Sequence, residues 1–125
     1  MMAKTRVDVN GLYGALDAAR TARGLSWRQL AKEIEVSPST MTRLANGHKP
    51  EVDAFVAMTR WLGMPAERFM LDDGDDERPQ PELVAELAPL LRARKDLDAE
   101  DVRHLQEIIG SAVRRFNADR DARET

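Results

Sequence analysis

Ser39, Thr42 and Arg43 lie within five residues of one another, at spacings that bring them to one side of a helix. Their chemistry is that of base reading. An arginine can bond guanine through two parallel hydrogen bonds, and a serine or threonine hydroxyl can both donate and accept. On an exposed helix end, such a trio has the size and polarity to enter a DNA major groove. It works only if neighbouring elements hold that helix with its polar side outward.

The stretch Gly24 to Gly47, G-L-S-W-R-Q-L-A-K-E-I-E-V-S-P-S-T-M-T-R-L-A-N-G, supplies those elements. Ser26 is an N-cap residue, and Leu30, Ala31 and Ile34 follow at helical spacing. Glu35-Val36 makes a turn. Ser37 then caps a second helix whose first position is Pro38, where a missing N–H costs nothing. Met41 and Leu44 form its inner side, and Asn46-Gly47 closes it with a left-handed signal. Both helices are too short to stand alone, so each must bury its apolar side against neighbours.

At these residues the chain resembles the phage-repressor-type helix-turn-helix domains, the Cro/C1-type or XRE class of transcription regulators. The matching pattern is R-x-x-R-G-L-S over Arg20 to Ser26, Q-L-A over Gln29 to Ala31 and V-S-x-S-T-M-x-R-L over Val36 to Leu44. Asn46-Gly47 and L-G-M-P over Leu62 to Pro65 complete it. The resemblance covers roughly residues 10–71 and implies a five-helix, lambda-repressor-like DNA-binding domain. In that class the first, second and sixth residues of the recognition helix face bases, which here are Pro38, Ser39 and Arg43. Proline cannot replace the glutamine frequent at the first position, so direct readout is expected to rest on Arg43, helped by Ser39 and Thr42. Trp27 stands where the class often has another glutamine. Its indole can donate to a phosphate, lie against a sugar or cap the core. Arg28, Ser37, Thr40, Asn46, His48 and Lys49 are placed to meet phosphates at the ends of the unit, with Lys49 equally readable as a solvated side chain.

Charge distribution agrees with such a head. The net charge is −3, yet residues 1–70 carry ten Lys/Arg against seven Asp/Glu, and residues 71–125 carry nine against fifteen. The first part is therefore +3 and the second −6, which suits a DNA-reading head with a body held away from phosphate.

In chain order, residues 1–9 read as a loose arm in which Lys4 and Arg6 could touch phosphate. Asn10 is expected to cap a first helix carrying Leu12, Ala15, Leu16 and Ala19, ended by Gly24, with Gly14 marking a close helix contact. A further helix over Val52 to Leu62 turns Val52, Phe55, Val56, Thr59 and Leu62 inward, with Met58 and Trp61 as packing residues. Pro65 starts a short fifth helix that returns Phe69 and Leu71 to the core. Residues 72–81, D-D-G-D-D-E-R-P-Q-P, are an acidic linker without the spacing of a calcium loop.

Residues 82–117 form a helical extension. Leu83, Val84, Leu87, Leu90 and Leu91 mark a helix that Pro89 must kink or restart. Asp98, with Asp101 three positions on, caps the last helix. Along it Val102, Leu105, Ile109, Ala112 and Phe116 step by 3, 4, 3, 4, the rhythm of a helix pair, and Ile108 and Val113 widen the stripe. Two helices cannot bury so broad a face, so part of it is expected to meet a second copy or a partner protein. Residues 118–125 read as a polar, frayed tail.

Nothing in the chain has the arrangement of a catalytic site. The serines are explained by caps, there is no phosphate-binding glycine loop, and cysteine is absent. No metal or other cofactor is expected, nor is a membrane span or a signal peptide, which makes the cytoplasm the expected location. The expectation is a dimeric, sequence-specific DNA-binding regulator, a repressor that occludes a promoter. The alternative is an antitoxin-type module whose C-terminal helices hold a toxin or a protease.

Overall fold

The computed structural model describes residues 5–72 and 80–124, and these fall into two units, residues 5–72 in the first and 80–124 in the second. The fold is all-α apart from one small sheet. In the first unit, strand β1 (Thr5–Val7) leads into α1 (Val9–Arg23), α2 (Trp27–Ile34), α3 (Pro38–Ala45) and α4 (Val52–Leu62). A 3-10 turn (Ala66–Phe69) and strand β2 (Met70–Asp72) close the unit. β2 pairs antiparallel with β1, Arg6 opposite Leu71.

The core is built from one side of each helix. Leu12 and Leu16 of α1 meet Leu30, Ala31 and Ile34 of α2, Met41 and Leu44 of α3, and Phe55 and Met58 of α4, all buried. Phe69 of the 3-10 turn joins them. Spacings of three and four within each helix make this possible, because such residues share a side. Trp61 is half-buried at the margin, where the Arg23 guanidinium lies 4.4 Å from its ring centre.

Several expectations change in this unit. Residues 5–7 are a strand rather than part of a loose arm, while Lys4 lies outside the described residues. The first helix is capped by Asp8, not Asn10. The Asp8 carboxylate accepts from Gly11 N at 3.0 Å, and Asp8 N donates to the Phe69 carbonyl at 2.7 Å. That second bond anchors the helix start to the far end of the unit. The expected fifth helix is only the 3-10 turn, since the chain must straighten after Phe69 to form β2. Val52 (76% exposed) and Val56 (44% exposed) do not turn inward. Val52 opens the first turn of α4, and Val56 sits off the side defined by Phe55, Met58 and Thr59.

Gly14 marks no close contact, for a Cβ there would meet nothing within 4 Å. Exposed and mid-helix, it costs backbone entropy without a packing return. Gly14→Ala should stabilise the unit by about 0.5–1 kcal/mol. Urea unfolding checks this through a higher midpoint at unchanged slope, and an unmoved or lowered midpoint would show that the glycine is needed.

In the second unit, α5 (Leu83–Ala93) packs against α6 (Ala99–Glu124). Pro89 lies inside α5, which runs through it as one helix. Arg94 ends that helix and holds Asp96 through two bonds of 2.8 Å. The guanidinium's hydrogen bond keeps the Asp96 carboxyl below its ordinary range, but both groups are solvated. Asp98 and Asp101 cap α6 reciprocally, Asp101 N donating to Asp98 at 2.8 Å and Asp98 N to Asp101 at 3.2 Å. The helix continues to Glu124 instead of fraying from residue 118. Asp119 with Arg123, and Arg120 with Glu124, stand four residues apart there, a spacing that supports a solvated helix.

The stripe on α6 is unevenly covered. Val102 is buried, Leu105, Ile109, Ala112 and Val113 are half-buried, and Ile108 and Phe116 are 51% and 55% exposed. Leu83 and Leu90 of α5 are exposed as well. Residues 73–79, most of the expected linker, lie outside the described residues.

Candidate nucleic-acid interface

The side of α3 that stays outside is defined by what α3 must bury. Met41 and Leu44 point into the core, which leaves Ser39, Thr42, Arg43 and Asn46 exposed on the opposite side. The elements before it fix this orientation through local bonds. In α2 the Ser26 hydroxyl accepts from Gln29 N at 3.1 Å, and Gln29 Oε1 accepts from Ser26 N at 2.8 Å, a complete capping box. Glu35 ends α2 in the left-handed region, φ 68°, and Val36 N donates back to the Ala31 carbonyl at 2.9 Å. This conformation, unusual for a residue with a side chain, produces the abrupt change of direction between α2 and α3.

At the start of α3, the Ser37 hydroxyl accepts from Thr40 N at 3.2 Å. It also shares hydrogen bonds with the hydroxyls of Ser39, 2.9 Å away, and Thr40, 2.8 Å away. Three hydroxyls thus form one small network at the helix entrance. The Thr42 hydroxyl donates to the Pro38 carbonyl at 3.2 Å. Arg43 is exposed, and no hydrogen bond or ion pair occupies its guanidinium among the described residues. Gly47, at φ 91°, ends the helix in the left-handed region, and His48 N donates to the Arg43 carbonyl at 3.0 Å.

Two clefts flank α3 and sort the residues singled out by sequence. One, of about 210 Å³, is lined by Thr40, Arg43, His48 and Lys49, together with Pro50, Glu51 and Ala54. It gathers two cations and an imidazole around a small depression. The second, of about 250 Å³, gathers Trp27, Arg28, Pro38, Thr42 and Asn46, with Tyr13, Met41 and Ala45. The four residues expected at bases are therefore divided: Arg43 borders the first cleft, Pro38 and Thr42 the second, and Ser39 stays with the cap.

Trp27 is held in place by its neighbours. Its ring stacks on Tyr13, centroids 4.8 Å apart and planes 13° from parallel, and the Arg20 guanidinium lies 4.7 Å from its centre. Arg20 is itself tied to Asp17 and to the Leu25 carbonyl, the latter at 2.9 Å. The indole packs against the core and also walls the second cleft. Sequence reasoning passed over Tyr13, Met41, Ala45 and Glu51 as site residues. Tyr13 is fourteen positions from its stacking partner and carries no local signal, while Glu51 reads only as the residue before α4.

Two capped helices set at an abrupt turn, the second exposing its polar side from a helical head, define a helix-turn-helix. Residues 14–69 match the family model described as a helix-turn-helix domain, and this part of the chain is such a domain. Domains of this kind place their second helix in the major groove and serve DNA-binding regulators. None of the curated proteins compared with the chain matches it. Among the described residues no group of three or more His, Asp or Glu side chains is disposed to hold a metal ion, and no helix is long and apolar enough to cross a membrane.

Proposed function

We propose that the protein is a sequence-specific DNA-binding transcription regulator of the Cro-like, XRE type, and that it works in the cytoplasm as a dimeric repressor. One observation carries this reading: Arg43 stands exposed, and unengaged among the described residues, on the outer side of a doubly capped α3, beside His48 and Lys49. Arg43 reads a guanine, with Ser39 and Thr42 beside it. Arg28, Ser37, Thr40, Asn46, His48 and Lys49 lie along the sugar–phosphate backbone and set the register. The two hydrogen bonds among the hydroxyls of Ser37, Ser39 and Thr40 use two of their three hydrogens, so their network keeps one hydrogen and the outer lone pairs of Ser39 and Thr40 for contact with DNA.

A single head offers a small interface, and a second copy supplies a second half-site. The uncovered apolar residues of the second unit, Ile108, Phe116, Leu83 and Leu90, support pairing of two chains through that unit. The same residues also fit the alternative, a protein partner such as a toxin or protease held by α5 and α6. Copurification of a stoichiometric partner from the native host would favour that alternative over self-pairing. Promoter occlusion, rather than activation, is the simplest consequence of a compact domain seated in the groove.

The experiment that tests the reading is selection from random duplexes followed by titration across salt concentrations. A defined site should emerge. Affinity for it should fall linearly on a log–log plot against salt, by about 0.9 in slope for each phosphate neutralised. A slope near zero would remove the nucleic-acid reading.

A further inference from the structure

The cleft between α2 and α3 carries chemistry that the polar side chains do not. Tyr13, Trp27, Pro38, Met41, Thr42 and Ala45 make most of its walls, and their surfaces are largely carbon. Pro38 has no N–H, and the Thr42 hydroxyl spends its hydrogen on the Pro38 carbonyl at 3.2 Å. Neither is equipped to donate to a base edge, so beyond acceptor lone pairs they offer methyl and methylene groups. Trp27 is held in its stack with Tyr13 and under Arg20, and filling the cleft would require it to leave both. The hollow is therefore kept open by packing.

Its position gives it an occupant. Thr42, which the proposed function sets beside Arg43, lines this cleft and lies on the exposed side of α3, so the hollow opens onto the surface that meets the bases, while Asn46, a backbone contact in that reading, stands at its rim. The cationic Arg28 also borders it, on the side of the α2 start. Along the major-groove edge of unmodified DNA there is one apolar group, the 5-methyl of thymine. A volume of about 250 Å³ takes that methyl together with the C5–C6 edge of its ring. We infer that the cleft seats the 5-methyl group of a pyrimidine at one fixed position of each half-site, thymine in unmodified DNA and 5-methylcytosine where cytosine is methylated. The inference rests on the proposed function and adds a second specificity determinant, one of shape, beside Arg43.

The test replaces each thymine of the selected operator singly by deoxyuridine, which deletes the methyl and keeps every hydrogen-bonding group. In parallel, each cytosine is replaced by 5-methylcytosine. One pyrimidine position per half-site should respond, losing about four-fold in affinity without its methyl, the factor expected for one buried methyl group. Thr42→Ser, which removes the residue's own methyl from an exposed position, should reduce that response to less than two-fold. Thr42→Val should retain it, with thermal melts showing both variants folded. A site that responds only to 5-methylcytosine identifies the source of the methyl and leaves the assignment standing. An operator on which no methyl changes affinity by more than about 1.5-fold overturns the inference alone, as does a response undiminished in Thr42→Ser. Failure to select any sequence overturns the proposed function, and this inference with it.

Discussion

Arg43→Ala should lower affinity for the selected operator by about 1–3 kcal/mol, roughly five- to 150-fold, and relax base preference at one position. Binding to random duplex should change far less. The reason is geometric. Arg43 is exposed, its side chain is engaged with nothing else among the described residues, and alanine is the best helix former, so the domain loses little stability. What disappears is a fork of donors that matches guanine and no other base edge. Arg43→Lys keeps the charge but not the fork, and should recover non-specific binding while leaving the preference relaxed. The rival role is also visible, since Arg43 shares a cleft with His48 and Lys49, a setting equally able to grip phosphate. Electrophoretic shift on operator and random DNA separates the two. Equal loss on both would make Arg43 a backbone contact and leave base reading to other residues.

The second large effect is expected in the second unit. Ile108 is more than half exposed and Ile109 half-buried, so one charge at each position asks different questions of the same helix. Ile108→Asp places a carboxylate where the protomer leaves the side chain open to water, and costs the protomer little. If two copies pair through this surface, the same charge is buried twice in a contact without a counter-ion, at several kcal/mol. Light scattering should then report a monomer with native helical circular dichroism. Operator affinity should fall because only one half-site is held. Ile109→Asp should dissociate the pair as well, and should also lower the melting temperature of α5 and α6, because Ile109 is covered in part within the protomer. Loss of helicity in both variants at unchanged mass would place the stripe inside the protomer. A wild-type protein already monomeric at micromolar concentration would end the dimer proposal.

The unequal coverage of that stripe shows where sequence periodicity stops. Val102, Leu105, Ile109, Ala112 and Phe116 share a 3, 4, 3, 4 rhythm, yet only Val102 is fully buried. Periodicity reports which residues share a side of a helix. It is silent on how far along the helix a partner extends.

What could be read from the chain alone is whatever depends on neighbours within four positions. Ser26 with Gln29, Ser37 with Pro38 and Asp98 with Asp101 cap their helices, and Gly24 and Gly63 end theirs, as residue type and spacing indicate. The buried residues of α1 to α3 follow for the same reason, because a short helix has one side to bury and the pattern names it. Partners far apart in sequence were decided only by the tertiary structure. Asp8 rather than Asn10 opens α1 because its N–H reaches the Phe69 carbonyl, and three residues at each end of the unit become strands because they meet. Trp27 becomes a fixed wall through Tyr13, and Glu35 takes a left-handed backbone that its residue type does not announce. The two clefts beside α3 likewise exist only once α1, α2 and the start of α4 are packed around it. A cleft is the space left between elements, and no local pattern of residues encodes a space.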